Sequence, residues 1–286
     1  MHNSSMFNIH LAKVYGFCRG VQAVSQLADE LVEGEQRPVY SIGKLVHNDQ
    51  VVKYYDERGL KVVTSPAGNA PGIALIRAHG ITSEKRKEFE DAGFTLIDGT
   101  CRIVLANHAK CEKSSRPVLF FGIKGHAETL STVDRLKVDY LIIENEEDLD
   151  AVDPSRKWNV VIQTTFSSLK AERFKAILAS RGVDFRCLNA ICSASSRRRE
   201  ALLLLCGCCD TVLVVGDRQS ANTMELYRIA CQQDVRAYFV SSVQDITDEM
   251  LQCRDLGITA GASVSPRQVR DFLAFLKQRG GTVVQS

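Results

Sequence analysis

Ile9-His10-Leu11-Ala12-Lys13-Val14-Tyr15-Gly16-Phe17-Cys18-Arg19-Gly20-Val21 passes from a short apolar run, through a glycine, to a cysteine at the head of a helical pattern over 21–32. The aliphatic content of 9–14 predicts a strand and the spacing after Val21 predicts a helix. The same order recurs at Gly99-Thr100-Cys101 and at Ala190-Ile191-Cys192. Strand, turn, cysteine and helix thus appear three times at similar intervals. The repetition predicts three similar α/β lobes, over 1–100, 101–190 and 191–286, each presenting one thiol at a strand-to-helix turn. The positive end of a helix dipole is a suitable place for a metal-ligating sulfur.

Outward from these turns, short β-branched runs alternate with helical patterns. Strands are expected at 9–14, 73–76, 95–97, 118–121, 160–162, 212–215 and 258–259. Helices are expected at 21–32, 84–92, 169–178, 197–205 and 266–278. Alternation of this kind predicts mainly parallel sheets with helices packed on both faces.

The remaining composition narrows the function classes. A net charge of +2 over 286 residues indicates neither a nucleic-acid nor an anionic-membrane partner. The longest apolar runs, such as 201–206, fall far short of the ~20 residues of a membrane span. The first ten residues lack the charged and apolar regions of a signal peptide, which points to the cytosol. Ten cysteines in a cytosolic chain are then reduced thiols, either packed in the core or binding metal.

Polar groups gather just after the strands: Arg77-Ala78-His79-Gly80, Gly125-His126-Ala127-Glu128, Gln163-Thr164-Thr165, Gly216 to Asn222, and Gly261-Ala262-Ser263. Ligands of open parallel sheets bind beyond the carboxyl ends of strands, so these segments predict one polar pocket. Each feature also has a plainer reading. Free cysteines commonly pack as small hydrophobes, and on composition alone Cys18, Cys101 and Cys192 fit either role. Cys206-Gly207-Cys208-Cys209 matches no zinc spacing and is read as core packing. Cys111, Cys187, Cys231 and Cys253 are read as packing or surface thiols. His2 and His10 carry no site signal, and His108 sits in a helical pattern where it packs. Ser220, Asn222 and Ser263 read as helix caps, which is compatible with a diphosphate site at helix N-termini. Neither a Walker loop nor a Gly-x-Gly-x-x-Gly turn is present.

Taken in order, these motifs resemble the 4-hydroxy-3-methylbut-2-enyl diphosphate (HMBPP) reductase family of the non-mevalonate isoprenoid route. The resemblance rests on Gly16-Phe17-Cys18-Arg19-Gly20-Val21, Leu45-Val46-His47-Asn48, Ala78-His79-Gly80, Asp98-Gly99-Thr100-Cys101, Gly125-His126-Ala127-Glu128, Gln163-Thr164-Thr165, Ala190-Ile191-Cys192, Ser220-Ala221-Asn222 and Thr259-Ala260-Gly261-Ala262-Ser263. These pieces span almost the whole chain.

The resemblance implies three α/β lobes around a central [4Fe–4S] cluster, one per chain, ligated by Cys18, Cys101 and Cys192. It implies reductive dehydroxylation of HMBPP to isopentenyl and dimethylallyl diphosphates, with ferredoxin or flavodoxin as electron donor. His47, His79, Ser220, Asn222 and Ser263 would bind the diphosphate. Glu128 would supply a proton, with Thr164 beside it and His126 completing the relay, and such a carboxyl needs a raised pKa.

The chain departs from the family pattern beside these residues. Arg19 and Arg102 replace a small residue and a proline after two of the cysteines. Ala127 replaces proline, Ala221 replaces serine, Ala106 stands where lysine is frequent, and Gly216-Asp217-Arg218-Gln219 replaces a more usual Gly-Ser-Lys-Asn. These changes leave two alternatives open: a paralogue acting on another substrate, or a non-catalytic iron–sulfur sensor.

Overall fold

The computed structural model describes residues 7–284, so His2 lies outside the described residues. The strands are β1 Phe7–Leu11, β2 Val39–Ile42, β3 Leu60–Val63, β4 Ile73–Ile76, β5 Thr95–Asp98, β6 Val118–Phe121, β7 Tyr140–Ile143, β8 Lys157–Ile162, β9 Asp184–Cys187, β10 Thr211–Val215, β11 Arg236–Val240, β12 Asp255–Ala260 and β13 Gly281–Val284. The α-helices are α1 Arg19–Gly34, α2 Asp49–Glu57, α3 Ser83–Asp91, α4 Arg102–Glu112, α5 Ala127–Val133, α6 Ser168–Ser180, α7 Ser193–Cys206, α8 Ala221–Ala230 and α9 Pro266–Gln278.

All described strand pairs are parallel and fall into three sheets. Two have the same strand order, β3-β2-β4-β5 and β7-β6-β8-β9. The third runs β11-β10-β12-β1-β13. Its first three strands repeat the order of the other two sheets, and β1 takes the fourth position. The expected threefold α/β repetition is present. The sheets, however, do not divide the chain into consecutive thirds. β1 joins the C-terminal strands because Phe7 and Ile9 complete a core that those strands leave open at that edge.

The chain forms two compact units. One comprises residues 7–22, 46–54 and 193–284, and holds the β1-containing sheet. In this unit β10 is buried on both faces, as interior parallel strands are. Leu213 and Val215 pack with Val269, Phe272 and Leu276 of α9, while Val212 and Val214 pack with α7 and α8. The start of α9 follows from its sequence. Ser265 accepts from the Gln268 amide, the Gln268 side chain accepts from the Ser265 amide, and Pro266 occupies the first turn.

The other unit, residues 23–45 and 55–192, holds the two four-stranded sheets. β6 is buried throughout, with Leu119 and Phe121 facing α6 and Val118 and Phe120 facing Cys111 of α4. Phe89 of α3 plays the anchoring role against β2 and β4. Truncating such an aromatic anchor costs about 3–5 kcal/mol. Cys111 is a packing residue, whereas Cys187 and Cys231 are exposed. His108 is buried in α4, as its helical pattern suggested. No described helix is long and apolar enough to cross a membrane.

Candidate functional site

In the two-sheet unit, the residues after β4, β5, β6, β8 and β9 form one continuous network. Gly99 lets the chain leave β5 close against β4: a Cβ there would lie 2.6 Å from the Ile76 carbonyl oxygen and from Val24. The next turn ends at Cys101, the N-cap residue of α4, whose amide donates to the Ala78 carbonyl at 3.0 Å. His79 follows Ala78, and its carbonyl accepts from Ser131 Oγ at 2.7 Å. The ring of His79 meets that of His126 edge to face, with centroids 4.9 Å apart.

Gly125 takes a φ of +78°, a turn that aims His126 at the head of α5. His126 Nδ1 accepts from the Glu128 amide at 3.2 Å, so the imidazole caps the helix. Glu128 in turn points at Thr164: Oε1 accepts from the Thr164 amide at 2.6 Å, and Oε2 from its hydroxyl at 2.7 Å. Burial raises the Glu128 pKa to about 7 against the lowering effect of those two bonds. Because an amide N–H only donates, Oε1 stays an acceptor; when the carboxyl is protonated the proton is on Oε2, which then donates to Thr164 Oγ1 instead of accepting from it. The Thr164 carbonyl accepts from the Cys192 amide at 3.3 Å. A chain of contacts thus leads from Cys101 through His79, His126, Glu128 and Thr164 to Cys192.

Residues outside the expected set hold this network. Gln163 Oε1 accepts from the Ile123 amide at 2.9 Å, tying the turn after β8 to the turn after β6. Asn189 bonds both the amide and the carbonyl of Ile162, at 2.8 and 2.7 Å, and extends the sheet ladder toward Cys192. Asn189 gives no signal in the sequence, and Gln163, though it stands in the Gln163-Thr164-Thr165 segment after a strand, does not reveal this supporting role there. His108, its pKa lowered first by burial and then by Arg135, contacts Ser131 and remains structural.

The other unit carries Cys18, His47, Ser220, Asn222 and Ser263. The turn before Cys18 is held on three sides: the Gly16 amide donates to Ala260, the Phe17 amide to Val264, and Arg198 Nη2 to the Gly16 carbonyl at 2.7 Å. Arg198 is 2 % exposed, which makes it a fixed support for the loop. Ser220 caps α8 by accepting from Thr223, but Asn222 lies inside that helix and bonds the Ala262 amide at 3.1 Å. Ser263 is not a cap either, because Ser265 takes that place for α9. Asn48, beside His47, caps α2 and donates to the Ser263 carbonyl at 3.0 Å. These bonds gather 47–48, 220–222 and 261–263 at the carboxyl end of one sheet. Ser263 Oγ is buried there with no hydrogen-bond partner among the described residues. It is a donor suited to an anionic ligand oxygen.

The three cysteines share a placement. Each immediately precedes the first residue of a helix, each is partly exposed, and none forms a disulfide. Three soft sulfur donors at helix N-termini fit iron–sulfur ligation, in contrast to the buried Cys111 and Cys209. Arg19 and Arg102, the neighbours that depart from the expected pattern, are both exposed.

Comparison with known proteins agrees with this arrangement. The family model described as LytB protein matches residues 9–277. A Treponema denticola protein named 4-hydroxy-3-methylbut-2-enyl diphosphate reductase is 31% identical, over 88% of this chain and 93% of its own. A Bordetella pertussis protein of the same name is 31% identical, over 96% of this chain and 88% of its own. The structure of the E-1-hydroxy-2-methyl-but-2-enyl-4-diphosphate reductase from Plasmodium falciparum superposes with a TM-score of 0.87 at 25% identity, covering 98% of this chain and 92% of that one.

Proposed function

Because the chain belongs to the LytB protein family, we propose that it reduces 4-hydroxy-3-methylbut-2-enyl diphosphate to isopentenyl and dimethylallyl diphosphates. Two electrons and two protons enter, the allylic carbon–oxygen bond breaks, and the hydroxyl leaves as water. When bound to Cys18, Cys101 and Cys192, a [4Fe–4S] cluster supplies the electrons and a Lewis-acidic iron for the departing oxygen.

The observation that carries this reading is the buried Glu128 carboxyl. A buried acid with a pKa of about 7 is still substantially protonated at neutral pH and releases its proton readily, which suits a general acid. Thr164 Oγ1 lies next to that proton and passes it toward the substrate oxygen. His126 fixes the helix end that bears Glu128. Ser220, Asn222, Ser263, His47 and His79 bind the diphosphate; the buried Ser263 hydroxyl and the nearby α8 N-terminus support that role. A ferredoxin or flavodoxin delivers electrons, and the protein works in the cytosol, where thiols stay reduced.

Anaerobic protein incubated with HMBPP and dithionite should yield both five-carbon diphosphates. Protein with an intact cluster that gives neither product would refute the proposal. A Glu128→Gln variant as active as the parent would point instead to an iron–sulfur sensor.

A further inference from the structure

His10 carries no signal in the sequence, and 206–209 match no zinc spacing, but the fold brings the two together. His10, Cys208 and Cys209 place a ring nitrogen and two sulfurs within 4.8 Å of one another. His10 comes from β1, and the cysteines from the turn between α7 and β10, so linear spacing conceals the group. We propose that these three residues bind one thiophilic d10 cation of the Zn²⁺ class, at a site separate from the cluster cysteines.

Four observations support the site. First, the Cys208 and Cys209 sulfurs are 3.9 Å apart. Two tetrahedral ligands with Zn–S bonds of ~2.3 Å stand about 3.8 Å apart, so the separation needs almost no adjustment. Second, the His10 ring is already oriented, because its Nε2 lies 2.8 Å from Asp255 Oδ1. A carboxylate behind the imidazole is the usual outer partner of a metal-bound histidine. Asp255 is itself held by Asn8 Nδ2 at 2.9 Å. Third, the strand opposite His10 makes room for the sulfur. Gly257 pairs with His10 in register, and a Cβ there would sit 3.1 Å from Cys209 Sγ. Fourth, Cys209 is buried while Cys208 is exposed, which leaves the group open to an entering ion on the Cys208 side.

The group lies toward the amino end of the sheet, where the chain enters β10 and β12. The turns bearing Cys18, Ser220 and Ser263 leave the carboxyl ends of β1, β10 and β12. A cation here therefore has no part in the reduction. It ties the α7–β10 turn to β1 and β12, and its binding sends two thiol protons to solvent.

The test uses full-length protein prepared anaerobically with its cluster in place, so that Cys18, Cys101 and Cys192 are occupied. After dialysis against a chelator and addition of Zn²⁺, zinc and iron per chain are measured together with the melting temperature. The expected result is one retained zinc per chain, unchanged iron and a raised Tm. Cys208→Ser/Cys209→Ser should lose the zinc and the Tm rise while keeping iron and turnover. Asp255→Asn should weaken zinc affinity ~10–100-fold, which gives a reading even if the double variant folds poorly. The proposal is overturned if zinc is not retained, if the variants retain it as tightly as the parent, or if mass spectrometry shows a Cys208–Cys209 disulfide that excludes metal.

Discussion

Thr164 satisfies both oxygens of Glu128, its amide donating to Oε1 at 2.6 Å and its hydroxyl to Oε2 at 2.7 Å. The two residues lie on different turns, one opening α5 and the other following β8. Their pairing leaves one defined place for a proton on an otherwise enclosed carboxyl, and most of the predictions concern that proton.

Glu128→Gln keeps both contacts, with the amide oxygen toward the Thr164 N–H and the amide nitrogen toward its hydroxyl. Turnover should fall by at least ~100-fold, the usual contribution of a general acid, while the cluster absorption is retained. Rates within a few-fold of the parent would exclude Glu128 as the proton source.

The same carboxyl makes stability depend on pH. Its folded pKa of about 7 lies above the ordinary 4.5, so the native state binds the proton more tightly than the unfolded chain. This contribution to stability is fully present below pH ~4.5 and is lost as pH rises toward ~7, a change of about 3 kcal/mol. In urea unfolding, Glu128→Gln should flatten that slope and be the more stable protein at pH 8. An unaltered slope would mean that burial does not raise the Glu128 pKa.

Thr164→Val removes the hydroxyl bond that lowers the Glu128 pKa and leaves the amide bond in place. With the proton-passing hydroxyl gone kcat should fall, the high-pH decline of the residual kcat should move to higher pH, and stability should drop by about 1 kcal/mol. A shift to lower pH would contradict the assignment of that limb to Glu128.

Ser263→Ala deletes a buried hydroxyl that no described residue satisfies. Substrate-free stability should stay the same or rise slightly. KM for HMBPP should rise several-fold with kcat little changed, as for a group that binds ground and transition states alike. Unchanged KM would remove Ser263 from the diphosphate site.

Gly99→Ala tests the close approach before Cys101. The added methyl would meet the Ile76 carbonyl oxygen at 2.6 Å, and such overpacking costs about 1–3 kcal/mol. A variant as stable as the parent in urea would show that the turn has room to relax.

Much of the fold was legible because buried parallel strands have a plain signature. Ile73–Ile76, Val118–Phe121 and Pro266–Gln278 match the sequence expectation end to end. Edge strands such as Leu60–Val63 and Asp184–Cys187 were not foreseen, since each is only four residues long and exposed at half or more of its positions. The pairing of β1 with β12 and β13 was also hidden, because local periodicity says nothing about which distant strand completes a sheet. At the site, residue types and their place after strands indicated Glu128, Thr164 and the histidines. The supporting roles were not legible, even for Asn48 and Gln163 in segments the sequence singles out: Asn48, Gln163, Asn189 and Arg198 act through bonds to backbone far away in sequence. For the same reason His10 could not be linked to Cys208 and Cys209.

The most direct test of the central claim is electron paramagnetic resonance of the anaerobic, dithionite-reduced protein, recorded with and without HMBPP. The account predicts an iron–sulfur signal that substrate alters and that serine at Cys18, Cys101 or Cys192 diminishes or abolishes. A signal indifferent to HMBPP, or one that survives all three substitutions unchanged, would contradict it.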